Sequence, residues 1–313
     1  MANATRQVWK PTGQEQPVPC ALCGAQDAPL LADENGYKVR RCSCGLIFVS
    51  PQPTAEDLSL FYAQYFPEEA GDVWAGTMAR NFDADAAYVA ARRGPGKAFD
   101  IGAGHGHFLS RLKSLGWETS GVDLSEDAAR HAKEHYGIPV AHEMFRPGLV
   151  APESFDLVTA WYILEHVKDP AGFIQEAFKA LKPGGLFGLR VPNMTFSNVF
   201  LLLKAIPGMA GVLATVGLDT DGKSSYFHVL DPPAHLYGYN PATLRALLSR
   251  AGFERAEVLP AKPVDFGTPA TRLAKNSLFG GSELLYRATL GAFNAAPAIT
   301  AFARKPIKDQ GVL

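Results

Sequence analysis

The sequence predicts an α/β protein built on a Rossmann-like sheet, with a small cysteine-rich module in front of it. Three observations carry this. The run Asp100-Ile101-Gly102-Ala103-Gly104-His105-Gly106-His107-Phe108 reads as a strand ending in an acid, a glycine-rich turn and a helix. Further strand-like and helical runs follow it in order. All four cysteines lie in the first 50 residues, as Cys20-x-x-Cys23 and Cys42-x-Cys44.

Each element has a local cause. Lys97–Ile101 is a short apolar run of strand type. Phe108, Leu109, Leu112 and Leu115 fall on one helical face before Gly116 stops the helix. Glycines at such a turn let backbone N–H groups approach a ligand. A second strand, 119–122, ends in Asp123, where a ribose-binding acid is expected, roughly 20 residues on. The dinucleotide fingerprint wants a small residue at its third site. Here that residue is His107, and the glycines run G-x-G-x-G. Asp100 before the turn suits a ligand carrying an amine better than a pyrophosphate.

The third strand is expected at 138–140, followed by Glu143-Met144. Phe155-Asp156-Leu157-Val158-Thr159-Ala160 reads as the fourth, and Glu165-His166-Val167 follows it. Asp169-Pro170 supplies an N-cap and a proline at the first helical position. Phe173, Ile174, Ala177, Phe178 and Leu181 make that helix's buried face. Lys182-Pro183-Gly184-Gly185 stops it ahead of a fifth strand, 186–191. Asn240-Pro241 caps a helix carrying Leu244, Leu247 and Leu248; a sixth strand follows at 253–259 and a final one at 299–304.

Together these segments, with "FDLVTAWYILEHVKDP" and "LKPGGLFGLRVPN", resemble the ordered motifs of class I S-adenosylmethionine (SAM) dependent methyltransferases over about residues 97 to 260. The resemblance implies a seven-stranded sheet whose last strand is antiparallel, between strands five and six. It implies SAM as cofactor, with Asp100, Gly102, Gly104 and Gly106 at the methionine end. Asp123 would take the ribose hydroxyls, with Leu124 against adenine. Glu143 and Met144 match the adenine-side loop, and Ala160 and Trp161 lie where the backbone meets the amino-acid end. The implied reaction is methyl transfer, O-directed, to a small metabolite, a sugar or a lipid-linked intermediate. C- or N-methylation on the same core, or a non-catalytic SAM-binding module that docks a partner, are the alternatives.

Lys plus Arg number 30 against 31 Asp plus Glu, so there is no electrostatic case for nucleic acid. No apolar h-region opens the sequence, and no apolar stretch reaches the ~20 residues of a spanning helix. A soluble, cytoplasmic protein acting on a small-molecule acceptor is expected.

Two close cysteine pairs can deliver Cys20, Cys23, Cys42 and Cys44 to one tetrahedral zinc, with Gly24 and Gly45 where each knuckle needs a permissive residue. The bland alternatives are two disulfides, which fit poorly with a chain showing no export signal, or buried thiols, against which the clustering of every cysteine in one segment argues. Four thiolates leave no open position, so the zinc is expected to be structural.

The expected organisation is a disordered tail (1–16), a zinc ribbon (17–50), a helical bridge (51–95) and a methyltransferase domain (96–313) with inserts at 193–236 and 260–297. Thr54 is positioned to cap a bridge helix through Leu58, Phe61, Tyr62 and Tyr65, in which Phe61 and Tyr62 read as a packing face. In the resembled enzymes, aromatics at the place of Tyr62 and Tyr65 touch the cofactor. The apolar stretch 196–218 is open to three roles: lid, homodimer contact or membrane contact. Its thin polar face favours the first two.

Histidine is the natural base near neutral pH. His235, closing the first insert in "DPPAHLYGYNP", is the leading candidate, and His166 the next. Glu165 reads as a loop organiser. His105 and His107 line the turn, and His228, with Tyr226 and Asp231, is an outside candidate. Quinone-pathway O-methyltransferases of similar core carry a further Glu three residues before the Glu-His pair, implicated in holding a divalent ion. Here Tyr162 stands in that place, so no catalytic metal is expected.

Overall fold

A computed structural model describes residues 10–65, 70–204, 206–208, 211, 229–262 and 269–307. From the N-terminus the elements are β1 (Leu30–Glu34), β2 (Tyr37–Arg41), β3 (Ile47–Val49), α1 (Ala55–Tyr65), α2 (Ala70–Ala90), β4 (Lys97–Ile101), α3 (His107–Ser114), β5 (Glu118–Asp123), α4 (Glu126–Tyr136) and β6 (Val140–His142). There follow β7 (Phe155–Trp161), a 3-10 turn (Leu164–His166), α5 (Pro170–Ala180), β8 (Leu181–Pro192), α6 (Met194–Lys204), β9 (Tyr237–Gly238), α7 (Pro241–Arg250), β10 (Glu254–Ala261), α8 (Pro269–Ala288) and β11 (Ala298–Arg304).

The large sheet has seven strands in the order β10-β11-β8-β7-β4-β5-β6. β11 runs antiparallel to both neighbours and the other adjacent pairs are parallel, the topology the resemblance implied. Apolar side chains from α5, α7 and the sheet (Ile174, Leu189, Leu247) share a core with Val39, Ile47 and Phe48 of the small sheet. That small sheet runs β1-β2-β3-β9, so the cysteine module takes its last strand from residues beyond the first insert.

Local chemistry sets the element ends. Thr54 caps α1, its hydroxyl oxygen accepting the Asp57 N–H at 3.1 Å. Asp169 caps α5 by accepting the Gly172 N–H at 2.9 Å, with Pro170 at the first turn. Two boundaries differ from expectation. The third strand is Val140–His142, because Ile138 completes the end of α4, where its N–H bonds Ala132 O and its side chain is buried. The fifth strand starts at Leu181, directly after α5, so Lys182-Pro183-Gly184-Gly185, expected as the stop of that helix ahead of the strand, forms the strand's first part.

Helix α2 docks through a buried ion pair: Arg190 Nη2 on β8 reaches both Asp85 oxygens at 2.9 and 2.8 Å. At the opposite end of the sheet Asp156 joins three segments, accepting from Arg93 (2.5 Å), Lys182 (2.8 Å) and the Lys97 backbone N–H (2.9 Å). Burial alone would raise its pKa; Lys182, the Lys97 N–H and Arg93 instead pull it down to about 2. A carboxylate depressed on folding stabilises the native state above its unfolded pKa, and that contribution fades as pH falls from about 4 towards 2. Asp156→Asn is expected to cost about 2 kcal/mol at pH 7. In urea melts the gap to the parent should shrink below pH 4; a gap constant from pH 7 to pH 2 contradicts this account.

Among the described residues no helix is long and apolar enough to cross a membrane. Most of the stretch 209–228, including Tyr226 and His228, lies outside the described residues.

Candidate active site

The glycine turn is drawn under β5: Gly102 N–H and Ala103 N–H both bond Val122 O, at 2.8 and 3.0 Å. Gly102 has no room for a side chain, since a Cβ there would fall 2.2 Å from Ile163. Gly104 has φ +51, and among the described residues nothing lies within 4 Å of where its Cβ would point. Asp123 at the end of β5 accepts Gly104 N–H at 2.7 Å through one oxygen and Ser125 N–H at 2.8 Å through the other. Each oxygen keeps a second lone pair for a ligand hydroxyl. Asp100 lies beneath the turn, 1% exposed, and accepts the Thr159 hydroxyl at 2.6 Å. Burial pushes its pKa up to about 8, against the Thr159 hydroxyl and helped by the Asp123 charge. A cationic amine nearby would favour its ionised form.

Around this turn stand the other expected cofactor residues. Glu143 N–H bonds Asp123 O at 3.0 Å, bringing the 143–144 loop to the end of β5. Leu124 and Met144 are exposed, and Glu143 pairs with Arg146 at 2.6 Å. Ala160 and Trp161 are buried at the end of β7, the Trp161 ring edge-on to Phe108 at 4.9 Å. Gly106 begins α3 in a left-handed conformation, with φ 80. His105 and His107 engage α4: His105 stacks on His131 at 4.2 Å, and His107 Nδ1 meets the Tyr136 hydroxyl at 3.0 Å.

A second cluster adjoins the first through Ile163. The turn after β7 brings Glu165 and His166 up to His235, and their donor atoms all lie within 4.8 Å of one another. His166 Nδ1 lies 2.6 Å from Ala234 O, and His235 Nδ1 lies 2.8 Å from Leu230 O. A carbonyl only accepts, so each ring carries its proton on Nδ1 and leaves Nε2 with a lone pair. Burial and then His235 depress the His166 pKa to about 3, with the Ala234 carbonyl opposing. Glu165 is 1% exposed, and its carboxyl finds no hydrogen-bond partner on another of the described residues. Burial pushes it up to about 8, with its own backbone opposing. Its side chain therefore does not organise the loop by hydrogen bonding; its backbone carbonyl does, accepting Leu236 N–H at 2.8 Å.

In the N-terminal module the four cysteines converge, their sulphurs within 4.8 Å of one another. Cys20 and Cys44 are 3.6 Å apart and Cys23 and Cys42 3.3 Å, too far for disulfides at about 2.05 Å. Four sulphurs about 2.3 Å from one tetrahedral zinc would stand about 3.8 Å apart. The donor set fits.

A family model described as a methyltransferase domain matches residues 74–258, more than half of the protein. The chain belongs to the SAM-dependent class I methyltransferases. Curated relatives of this methyltransferase include a protein named ubiquinone biosynthesis O-methyltransferase from Methylococcus capsulatus, 39% identical over 39% of this chain and 49% of the relative. A protein of the same name from Xanthomonas axonopodis pv. citri is 31% identical over 55% of this chain and 69% of the relative. The chain spans about half the length of the first curated relatives it matches. A solved structure of a SAM-dependent methyltransferase from Mesorhizobium loti is similar at 22% identity and a TM-score of 0.46, spanning 72% of this methyltransferase and 100% of that one.

Three side chains in this methyltransferase have partners beyond those expected from the sequence. Tyr62 donates its hydroxyl to Ala234 O at 2.9 Å and lies 3.0 Å from His166 Nδ1, so it is more than a packing aromatic. Thr159 supports Asp100; a lone hydroxyl in the apolar run of β7 is its signal. Glu34 holds the backbone ahead of His235, and nothing local in the sequence points to it.

Proposed function

We propose that this methyltransferase moves the methyl group of SAM to an oxygen of a small acceptor, with His235 as general base. One observation carries the reading: the Leu230 carbonyl holds the His235 proton on Nδ1, which makes Nε2 the basic nitrogen of a ring clustered with Glu165 and His166. SAM, when bound, supplies an electrophilic methyl on a sulfonium. Methyl transfer to the acceptor oxygen would return the S–CH3 electron pair to sulphur, and the part of this chain would be to take the hydroxyl proton on His235 Nε2. His166 is too weak a base at neutral pH to replace it. For SAM contacts the proposal takes the residues that the resemblance implies: Asp123 for the ribose hydroxyls, Asp100 and Gly102, Gly104 and Gly106 for the methionine end, and Leu124, Glu143, Met144, Ala160 and Trp161 around them. The relatives' names support O-methylation and a small acceptor, lipid-linked ones included. The test is product analysis: the purified protein with SAM and a panel comprising a catechol, an alkyl-tailed catechol, a nucleotide-linked sugar and a primary amine. A methyl group located on oxygen by NMR supports the reading; one on carbon or nitrogen overturns its O-directed part, and SAM binding without turnover favours a binding module.

A second reading has its own observation. Glu165, His166 and His235 gather one carboxylate and two imidazoles around one point, a set that would hold a divalent cation and steady an acceptor oxygen. Turnover that survives dialysis against EDTA excludes it.

We also infer that Cys20, Cys23, Cys42 and Cys44 hold one structural zinc. Metal analysis is expected to find one zinc per molecule. Removing it should raise amide exchange across β1, β2 and β3, since structural zinc contributes directly to folding of such modules. Unchanged exchange in the zinc-free protein would remove this assignment.

A further inference from the structure

Glu34 ends β1, 9% exposed, at the far edge of the cysteine module from its sulphurs. Its carboxylate accepts three successive backbone N–H groups, those of Val229, Leu230 (2.9 Å) and Asp231 (3.2 Å). The peptide that presents the Asp231 N–H to Glu34 is also the one whose carbonyl, Leu230 O, accepts Nδ1–H from His235 at 2.8 Å. One peptide group thus joins a buried carboxylate to the imidazole of the proposed base. The rest of the loop is held from the same module. Asn35 Nδ2 donates to Pro232 O at 2.7 Å, and Val49 N–H bonds Leu236 O at 2.9 Å. Phe48 pairs with Tyr237 in register.

Bonds from N–H to a carboxylate are about twice as strong as neutral ones. A peptide polarised at its N–H is a better acceptor at its C=O. The partner of one imidazole nitrogen fixes which nitrogen carries the proton. We propose that Glu34 is a positioning residue for methyl transfer: through the 230–231 peptide it fixes the Nδ1–H tautomer and the orientation of His235. This is the carboxylate–histidine arrangement of many hydrolytic sites with a peptide interposed, and it assigns the cysteine module a part in the chemistry. The proposal rests on the reading of His235 as base.

The experiment uses the full-length protein with zinc and SAM bound, 15N-labelled at histidine. Wild-type His235 is expected to report the Nδ1–H tautomer in its side-chain 15N shifts, with the amides of Leu230 and Asp231 exchanging slowly. Glu34→Gln keeps one acceptor oxygen; Glu34→Ala keeps none. With an acceptor from the panel above, kcat is expected to fall about 10- to 100-fold in Glu34→Ala, as for other groups that orient a functional histidine. Glu34→Gln should recover part of that loss. The SAM dissociation constant should stay within about twofold, because Glu34 is not among the residues of the glycine turn. In a His235→Ala background Glu34→Ala should cost nothing more, since the two act as a unit. A carboxylate that merely stabilises the fold would give additive losses and an unchanged tautomer. An Nε2–H tautomer in the wild type, fast exchange at Leu230 and Asp231, or full kcat in both variants overturns the proposal. Full kcat in His235→Ala overturns the base reading instead, while the tautomer still reports on Glu34. If either Glu34 variant fails to fold, the wild-type tautomer and exchange rates still decide.

Discussion

His235→Ala is expected to lower kcat by about 10²- to 10⁴-fold, the usual worth of a positioned base. SAM affinity should stay within about twofold, because His235 lies with Glu165 and His166 rather than on the glycine turn. The loss should be large because, among the described residues of the cluster, neither His166 nor Glu165 is equipped to substitute. His166 is buried, with its pKa depressed to about 3, and its Nδ1 is committed to Ala234 O. Glu165 is held towards its neutral form at neutral pH by burial. Tyr62 gives its proton to Ala234 O, so Tyr62→Phe should weaken turnover by disturbing His166 and the 234–235 backbone, and by much less. Steady-state kinetics on the acceptor panel separates the cases. A His235→Ala enzyme at full kcat would remove the base, and equal losses in Tyr62→Phe would move the role to the tyrosine.

Asp123→Ala is expected to raise the SAM dissociation constant by about 10- to 150-fold, the cost of about 1.5–3 kcal/mol for hydrogen bonds to a charged group. Two losses combine. The ribose hydroxyls would lose their acceptor, and Gly104 N–H and Ser125 N–H would lose theirs. Burial raises the Asp123 pKa, but those two N–H bonds oppose the rise, so the turn itself helps to keep the acid ionised. Asp123→Asn retains one acceptor oxygen and should fall between the parent and the alanine form. Calorimetry is the measurement. Unchanged affinity in Asp123→Ala would place the ribose elsewhere.

How much of this was legible depended on range. The cap at Asp169-Pro170, the strand Lys97–Ile101 that carries Asp100 and the acid at Asp123 are set by residues within a few positions, and periodicity and turn chemistry read them well. The cysteine cluster was legible for the same reason: each pair forms its own knuckle, with Gly24 and Gly45 at positive φ. What failed was either competition at a boundary or partnership between distant segments. Ile138 is apolar and β-branched, which reads as strand, yet the end of α4 claims its N–H. Strand β9 has two residues and exists only because β3 offers it an edge. Tyr62 with His166 are 104 positions apart, and Glu34 with Leu230 are 196 apart. No local pattern encodes a partner at that distance.

The shared sheet has a practical consequence for dissecting the molecule. Residue 50 is a natural place to cut by sequence, but it is not a seam in the fold. A protein started there would leave Tyr237 and Gly238 without a strand to pair with, and would uncover the face that Ile47 and Phe48 now cover. Conversely, this cysteine module moved onto another protein would arrive without its fourth strand unless residues 229–239 came with it. Within this fold the structural unit is therefore discontinuous: the strands at 30–49 and the segment at 229–239 must be exchanged together or not at all.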